Sequence, residues 1–251
     1  MNDPTPITAA VLLIGNELLS GKTQDANLQF LGKELAKLGI KLVEVRVVRD
    51  ELAAIVEHLN ALRERYTYVF TTGGIGPTHD DITAECVAAA FGVPLQLNDE
   101  AVALLERHGR ELTEGRLKMA RVPAGATLIE NAVSLAPGFR IENVFVLAGI
   151  PSVARAMFAA AAPELQAGAS IAAASVDVFA RESDIAAPLE AIADANPDVE
   201  IGSYPFQRDG TYGANLVVRG TSEARIAAVM DAVVAAMTEL GGAPVRREPD
   251  A

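Results

Sequence analysis

Short apolar runs and helical repeats alternate through the first two thirds of the chain. Residues 11–14 form an unbroken apolar run that ends at Gly15, which is typical of a strand buried on both faces. Four leucines between residues 28 and 38 then recur at helical spacing, and Gly39 is placed to end that helix. The same patterns predict strands at 43–47, 68–72 and 144–147, and helices at 52–62, 83–91 and 151–158.

This order of strands and helices is typical of right-handed crossover units. We therefore expect residues 1–165 to form an α/β domain of three layers, with a mainly parallel sheet between helices. Small residues from 166 to 174 indicate a linker, and the pattern beyond it predicts a smaller α+β domain over residues 166–240. Residues 241–251 are expected to form a disordered tail.

Composition narrows the class of protein. Acidic residues outnumber basic residues by 33 to 21, and the formal net charge of −12 argues against a surface that neutralises nucleic-acid phosphates. The single cysteine, Cys86, has no partner for an intramolecular disulfide, as is usual in a reducing cytosol. The N-terminus lacks a signal-peptide pattern, and the Ala-rich run at 157–162 is too short to span a membrane. We expect a soluble cytoplasmic protein with neither a nucleic-acid nor a membrane partner.

The stretch from Thr71 to Thr83 joins a predicted buried strand to a predicted helix. Gly73, Gly74 and Gly76 would let backbone N–H groups approach an anion closely at the helix N-terminus. Ligands of open α/β sheets bind at this end of the strands, so a phosphate or pyrophosphate is the expected ligand. The alternative is that the glycines only form a tight turn and that Asp81 only caps the helix.

Two adjacent acids follow these glycines directly. Asp80 and Asp81 would repel an anionic ligand unless a divalent cation neutralised one or both of them. The sequence therefore predicts a bound divalent metal ion, such as Mg²⁺ or another whose identity the residues do not specify.

The same stretch resembles the signature of the molybdopterin-binding superfamily, which includes MoaB and Mog, the N-terminal domain of CinA and the N-terminal domain of FAD synthases. Four other loops, at 15–21, 48–50, 136–139 and 149–151, resemble the family in the same order, so the resemblance runs from about residue 8 to 165. Residues 201–205 and 213–216 resemble the small domain that follows this fold in CinA-like proteins and FAD synthases. Ala148 departs from the family, because many relatives have proline there.

The resemblance implies a set of site residues. Asp50 and Asp81 would be catalytic, and together with Asp80 they would bind the metal. The residues that would line the ligand and its phosphates are Thr72, Gly73, Gly74, Gly76, Pro77, Glu17, Gly138, Gly149 and Pro151. For Glu17, a ligand-facing position and a role in helix capping or loop stability both stay open.

The expected function follows from this resemblance. We predict a metal-dependent hydrolase that cleaves a nucleotide pyrophosphate such as FAD or ADP-ribose, with Asp81 or Asp50 helping to generate hydroxide from bound water. The alternatives are molybdopterin binding or adenylyl transfer in molybdenum cofactor biosynthesis, and a module that binds a nucleotide or pterin without turnover. The resemblance to CinA-like proteins with a second domain also implies a homo-oligomer, with a dimer favoured.

Overall fold

The computed structural model describes residues 6–107, 109, 111–168, 171–208 and 210–247. The chain divides into two compact units, residues 1–168 and 169–251. Each unit has hydrophobic core residues of its own. No helix in these ranges is both long enough and apolar enough to cross a membrane.

The first unit contains the strands β1 Thr8–Ile14, β2 Lys41–Val48, β3 Tyr68–Thr72, β4 Leu95–Leu97, β5 Arg121–Pro123, β6 Thr127–Ile129, β7 Gly138–Ile141 and β8 Val144–Leu147. Its helices are α1 Asn16–Leu19, α2 Asn27–Lys37, α3 Leu52–Arg63, α4 Thr83–Phe91, α5 Asp99–Glu106, α6 Glu114–Lys118 and α7 Pro151–Ala161, and a 3₁₀ turn at Ala162–Glu164 follows α7.

The main sheet has the order β2-β1-β3-β8-β7-β6. Strands β2, β1, β3 and β8 are parallel, and β7 and β6 add an antiparallel edge. Helices α2 and α7 contribute to the core on one face, and α3 and α4 contribute to the core on the other. The predicted α/β fold of three layers is therefore confirmed, and the apolar run of β1 is buried on both faces as expected.

The parallel strands bring distant loops to one edge of the sheet. Ile14 pairs with Val48, and Thr72 pairs with both Leu13 and Leu147 in register. Because parallel strands end at the same edge, the segments that follow Ile14, Val48, Thr72 and Leu147 start side by side. This is the arrangement that the sequence predicts for a ligand site.

The chain stays attached to the first unit beyond α7. The Gln166 backbone N–H donates to the Tyr68 hydroxyl at 2.8 Å, and the Gly168 backbone N–H donates to the Leu38 carbonyl at 2.9 Å. A Cβ atom at Gly168 would lie 2.2 Å from the Gly39 carbonyl oxygen, so only glycine fits this contact. Residues 166–168, expected in a linker, thus pack on the first unit.

The second unit contains strands β9 Ala172–Val178, β10 Glu200–Arg208, β11 Thr211–Gly220 and β12 Val245–Arg247, with helices α8 Glu182–Ala195 and α9 Glu223–Glu239. The strands form an antiparallel sheet of order β10-β11-β9-β12. Core residues from α8 and α9 pack with those of β9 and β11. The smaller α+β domain is present as predicted.

Strand β12 corrects one expectation. Residues 245–247 were expected in a disordered tail, but they pair with β9 in antiparallel register, with Val245 opposite Asp177. Gly241 and Ala243 have positive φ angles of 75° and 41°, and the Gly242 carbonyl accepts a hydrogen bond from the Phe179 N–H at 2.9 Å. This turn returns the chain to the edge of β9, where pairing satisfies backbone groups that would otherwise be open. Residues 248–251 lie outside the described ranges.

Candidate functional site

The glycine loop after β3 has a backbone that only glycine adopts easily. Gly73 and Gly74 have φ angles of 102° and 68°. A Cβ atom on Gly73 would lie 2.1 Å from the Ile14 carbonyl oxygen, and one on Gly74 would lie 2.2 Å from Thr83 Oγ1. The loop is therefore pressed between the end of β1 and the start of α4, where side chains do not fit.

Helix α4 begins directly behind this loop. The Thr83 hydroxyl is buried and donates to the Gly73 carbonyl at 2.9 Å, while the Thr83 N–H donates to the Gly74 carbonyl at 3.0 Å. The N-cap residue of this helix is Ile82, and its side chain makes no capping hydrogen bond. The helix N-terminus is thus fixed beside the glycines, which is the geometry that favours an anionic ligand.

Asp81 stabilises the loop and does not cap α4. Its Oδ2 atom accepts from the Thr78 N–H at 2.8 Å and from the Thr78 hydroxyl at 2.5 Å. A Cβ atom on Gly76 would lie 2.6 Å from the same oxygen. The Asp81 carboxylate therefore lies against the glycine loop, and the helix-capping alternative considered for it does not apply.

Asp50 lies beyond the end of β2 and is tied to the loop after β1. Its Oδ2 atom accepts a hydrogen bond from the Asn16 N–H at 2.8 Å. Burial raises the pKa of Asp50, and the nearby charges of Glu17 and Asp80 raise it further against the effect of the Asn16 bond. Carboxylates from three separate loops are thus close enough to affect one another.

Asp80 differs from Asp50 in its environment. The Thr78 hydroxyl shares its single proton between Asp81 and Asp80, whose Oδ1 atom lies 2.5 Å away, and this bond is the main cause of a lowered Asp80 pKa. His79 and Lys118 lower the same pKa through their charges. Asp80 is therefore held ionised at an exposed position beside the glycine loop, while Asp50 is the acid that takes up a proton more readily.

Glu17 belongs to the first turn of the short helix α1, and its side chain is exposed. A Cβ atom on Gly15 would lie 2.5 Å from Glu17 Oε1, so the carboxylate folds back over the loop backbone. The Gly15 N–H is bonded to the Val48 carbonyl at 3.1 Å, which ties this loop to the end of β2. Glu17 thus shares the acidic side of the site with Asp50.

The loop between β8 and α7 contacts the glycine loop at Gly73. A Cβ atom on Gly149 would lie 3.3 Å from the Gly73 Cα atom, and the Gly149 carbonyl accepts from the Asn27 side chain at 2.8 Å. Pro151 is the first residue of α7. The residue that anchors this loop, Asn27, has 2% of its surface exposed and was not among the predicted site residues.

Gly138 and Thr72 have positions that suit packing more than contact with a ligand. Gly138 is buried in β7, and a Cβ atom there would lie 2.3 Å from the Val146 carbonyl oxygen. Thr72 is buried as the last residue of β3. Of the predicted set, Gly74, Gly76 and Asp81 line a pocket, and Glu17, Pro77, Gly149 and Pro151 are exposed.

A pocket opens beside the glycine loop. It is shallow and open to solvent, and it is lined by Gly74, Gly76, Asp81, Glu85, Lys118 and Arg121 together with apolar side chains. The Lys118 Nζ atom donates to the Thr78 carbonyl at 2.6 Å. Lys118 and Arg121 were not among the predicted site residues, because neither belongs to a motif and both lie about forty residues beyond the loop.

The carboxylates fit a metal only in part. No group of three or more His, Cys, Asp or Glu side chains in the described ranges is arranged to hold a metal ion alone. Mg²⁺ usually binds through one or two carboxylates plus the phosphates of the ligand. Asp50 and Asp80, which interact electrostatically across the site, suit a hard cation that a phosphate ligand would share.

Comparison with known protein families gives a match for each unit. The family described as "Probable molybdopterin binding domain" matches residues 10–167, and the family described as "FAD synthase, middle domain" matches residues 170–241. These matches cover the two units that the fold separates.

Individual relatives agree with these matches. The chain is 33% identical over 195 residues to a protein of Archaeoglobus fulgidus, covering 78% of this chain and 84% of the relative. It is 31% identical over 265 residues to a probable FAD synthase of Caenorhabditis elegans, covering 94% of this chain but only 50% of that relative. The crystal structure of the protein CinA from Thermoplasma acidophilum matches with a TM-score of 0.60 and 34% identity, covering 62% of this chain and 96% of that one.

Proposed function

The chain belongs to the family of probable molybdopterin-binding domains, and from this premise we propose that it is an enzyme that hydrolyses a nucleotide pyrophosphate such as FAD or ADP-ribose with a divalent metal. One observation carries the proposal. The glycine loop at the start of α4 forms a cradle for an anion, and carboxylates from this loop and from two other segments lie beside it. The similarity to a probable FAD synthase supports a flavin nucleotide or a related dinucleotide as the substrate class.

The glycine loop would bind the phosphates. Backbone N–H groups of Gly74 and Gly76 and the N-terminus of α4 would face the phosphate oxygens at close range, since side chains are excluded there. This cradle is held rigidly by Thr83 and by Asp81, which bonds to Thr78. A rigid cradle stabilises the charge that develops on phosphorus at no cost of reorganisation.

Asp50 would act as the general base. A base works best when its pKa lies closer to the working pH, and burial raises the pKa of Asp50 in that direction. Asp50 would accept the proton of the attacking water while the bond between one phosphorus and the bridging oxygen breaks. A divalent cation bound by Asp80, Asp81 and the phosphates, close to Asp50, would supply charge neutralisation and a more acidic water.

Purified protein incubated with FAD or ADP-ribose, with and without Mg²⁺, Mn²⁺ or Co²⁺, tests the proposal, with nucleoside monophosphate products separated by chromatography. We expect Asp50→Asn to lose about two or more orders of magnitude in turnover because the base is removed, and Asp81→Asn to do so because the site loses a negative charge that would help to hold the cation. Asparagine keeps an acceptor oxygen for Asn16 or Thr78, so the free energy of unfolding should change by no more than about 1 kcal/mol.

The matched control is Glu57→Gln, which removes a charge from an exposed residue of α3. This variant should keep the turnover of the parent. Normal turnover by Asp81→Asn would remove Asp81 from the mechanism, and a parent protein that cleaves neither substrate with any of the three metals would overturn the hydrolase proposal.

Molybdopterin binding or adenylyl transfer is a second candidate, favoured by the pocket beside the glycine loop. Its apolar walls include Ile75 and Phe139, and its charged lining combines acids with Lys118 and Arg121. Such a lining suits a flat heterocycle with both donors and acceptors at its edges. Incubation with ATP and a pterin phosphate separates this candidate from the first, because adenylyl transfer consumes ATP and hydrolysis of FAD does not.

A further inference from the structure

Helix α6 is docked against the far end of the glycine loop. Its last residue, Lys118, donates from Nζ to the Thr78 carbonyl at 2.6 Å, across a separation of 40 residues. One turn earlier, Gly115 lies so close to Pro77 that a Cβ atom would be 3.1 Å from the Pro77 carbonyl oxygen. The helix therefore contacts the loop closely at both Gly115 and Lys118, and this places the Lys118 ammonium at a defined position.

That position is inside the charged part of the site. Lys118 lines the same pocket as Gly74 and Gly76, and its charge acts on Asp80. An ammonium has three donors, and the Thr78 carbonyl uses one of them. The remaining donors are available to a ligand oxygen that lies against the loop.

The charges that line the pocket balance one another. Lys118 and Arg121 carry two positive charges, while Asp81 and Glu85 carry two negative charges. Without Lys118 the lining would be net negative, and the adjacent Asp80 would add to this charge. A phosphate approaching Gly74 and Gly76 would then meet net repulsion from the lining.

We infer that Lys118 is a built-in counter-charge that binds a phosphate oxygen of the ligand, so that phosphate binding does not depend on a metal ion. The inference rests on the proposed function, because it concerns the ligand of the same glycine loop. It separates two tasks: Lys118 supports binding, and the metal with Asp50 and Asp80 serves turnover. Arg121, an exposed residue that lines the same pocket, would contact a second phosphate of the ligand.

Equilibrium binding of ADP-ribose and of inorganic pyrophosphate, measured by titration calorimetry in EDTA, tests this inference. We expect Lys118→Met to weaken the affinity for both probes by about tenfold or more, and Lys118→Arg to stay within about threefold of the parent because it keeps the charge. Lys37→Met is the matched control, since Lys37 is an exposed lysine paired with Glu34 on α2. It should bind like the parent.

Three results would overturn the role of Lys118 as a counter-charge, two of them from the variants. One is a Lys118→Met variant that binds within about twofold of the parent, and the other is a Lys118→Arg variant that loses as much affinity as Lys118→Met. A parent protein that binds either probe with Mg²⁺ but not in EDTA would also overturn it, while leaving the proposed function intact. A parent that binds neither probe under either condition would instead overturn the proposed function.

A second measurement uses the unaltered chain, in case Lys118→Met does not fold. Lysines are modified with an amine reagent with and without pyrophosphate in EDTA, and the rate at each site is read by mass spectrometry. We expect pyrophosphate to slow the modification of Lys118 and to leave Lys33 and Lys37 on α2 unchanged. An equal rate at Lys118 with and without pyrophosphate would contradict the inference.

Discussion

The two units of the chain differ in how their sheets distribute loops. In the first unit the central strands are parallel and lie between two layers of helices, so the segments after Ile14, Val48, Thr72 and Leu147 meet at one edge. In the second unit the sheet is antiparallel, and neighbouring strands end at opposite edges. A parallel sheet thus collects residues from distant parts of the chain into one site, and an antiparallel sheet does not.

The units also differ in the environment of their carboxylates. At the edge of the first sheet the carboxylates of Asp50 and Asp80 bond to loop atoms and stay accessible. In the second unit Asp177 is buried and accepts from Arg208 at 2.7 Å and from Asn215 at 2.8 Å. The first arrangement leaves the carboxylates accessible to a ligand, whereas the second uses the Asp177 carboxylate in an ion pair within the sheet.

The largest effect on stability should come from a substitution of Gly73, where an added Cβ atom would meet backbone atoms of β1 most closely. In Gly73→Ala, the new Cβ atom would meet the Ile14 carbonyl oxygen at 2.1 Å with φ at 102°. We expect the free energy of unfolding to fall by about 3–5 kcal/mol, from backbone strain plus overpacking. Denaturant titration measures this loss.

The matched control for this change is Gly92→Ala, at the end of α4. Gly92 also has a positive φ, of 64°, but among the described residues nothing lies within 4 Å of the added Cβ atom. The left-handed backbone alone should cost about 1–2 kcal/mol. Equal losses of unfolding free energy at the two positions would show that the close approach of β1 to the glycine loop does not restrict residue 73.

A smaller effect is expected from Asp177→Ala, which tests the second unit. The change leaves Arg208 and Asn215 without the carboxylate they share, and it should lower the free energy of unfolding of this unit by about 1–3 kcal/mol. Asp194→Ala, at an exposed position of α8, is the control and should be near neutral. ADP-ribose binding should be unchanged by either variant, and its loss in Asp177→Ala would mean that the second unit contributes to the site.

The pH dependence of stability tests the environment of the accessible acid Asp50. Because its folded pKa is raised, the ionised form of Asp50 destabilises the fold above that pKa, and this penalty is absent below the ordinary aspartate pKa of about 3.9. Asp50→Asn should therefore have a higher Tm than the parent at about pH 7, and the gap should shrink as the pH falls. Thermal melts across this range check the sign, and a gap that grows at low pH would contradict it.

The smallest expected effect is a null result at Cys86, the single cysteine of the chain. It is fully buried on α4, and burial raises its pKa to about 12. A thiol reagent at about pH 8 should label the native protein orders of magnitude more slowly than the unfolded protein. Labelling should stay slow in Asp177→Ala and become faster in Gly73→Ala, since Cys86 reports on the first unit alone.

Much of the first unit could be predicted because its signals are local. Apolar runs gave β1 and β8, leucine spacing gave α2, and glycines after β3 located the loop at the edge of the sheet. Parallel order then required the loops to converge, whatever their separation in sequence.

What could not be predicted depends on contacts between distant segments. Lys118 and Arg121 join the site only because α6 and β5 fold back beside the glycine loop. Asn27 is an ordinary residue at a helix start until Gly149 comes within hydrogen-bond distance. Val245 forms a strand because β9 offers it an edge, and its own segment is too short to carry a pattern.

The attachment of Gln166 and Gly168 to the first unit has a consequence for the exchange of modules. A protein that inherits this unit by recombination, or a hybrid that fuses it to another partner, must keep the chain through Gly168. A junction after Leu165 would remove the bonds to the Tyr68 hydroxyl and the Leu38 carbonyl, and a larger residue in place of Gly168 would collide with Gly39. The point at which one gene fragment can replace another is thus set by a glycine that lies outside the ligand site.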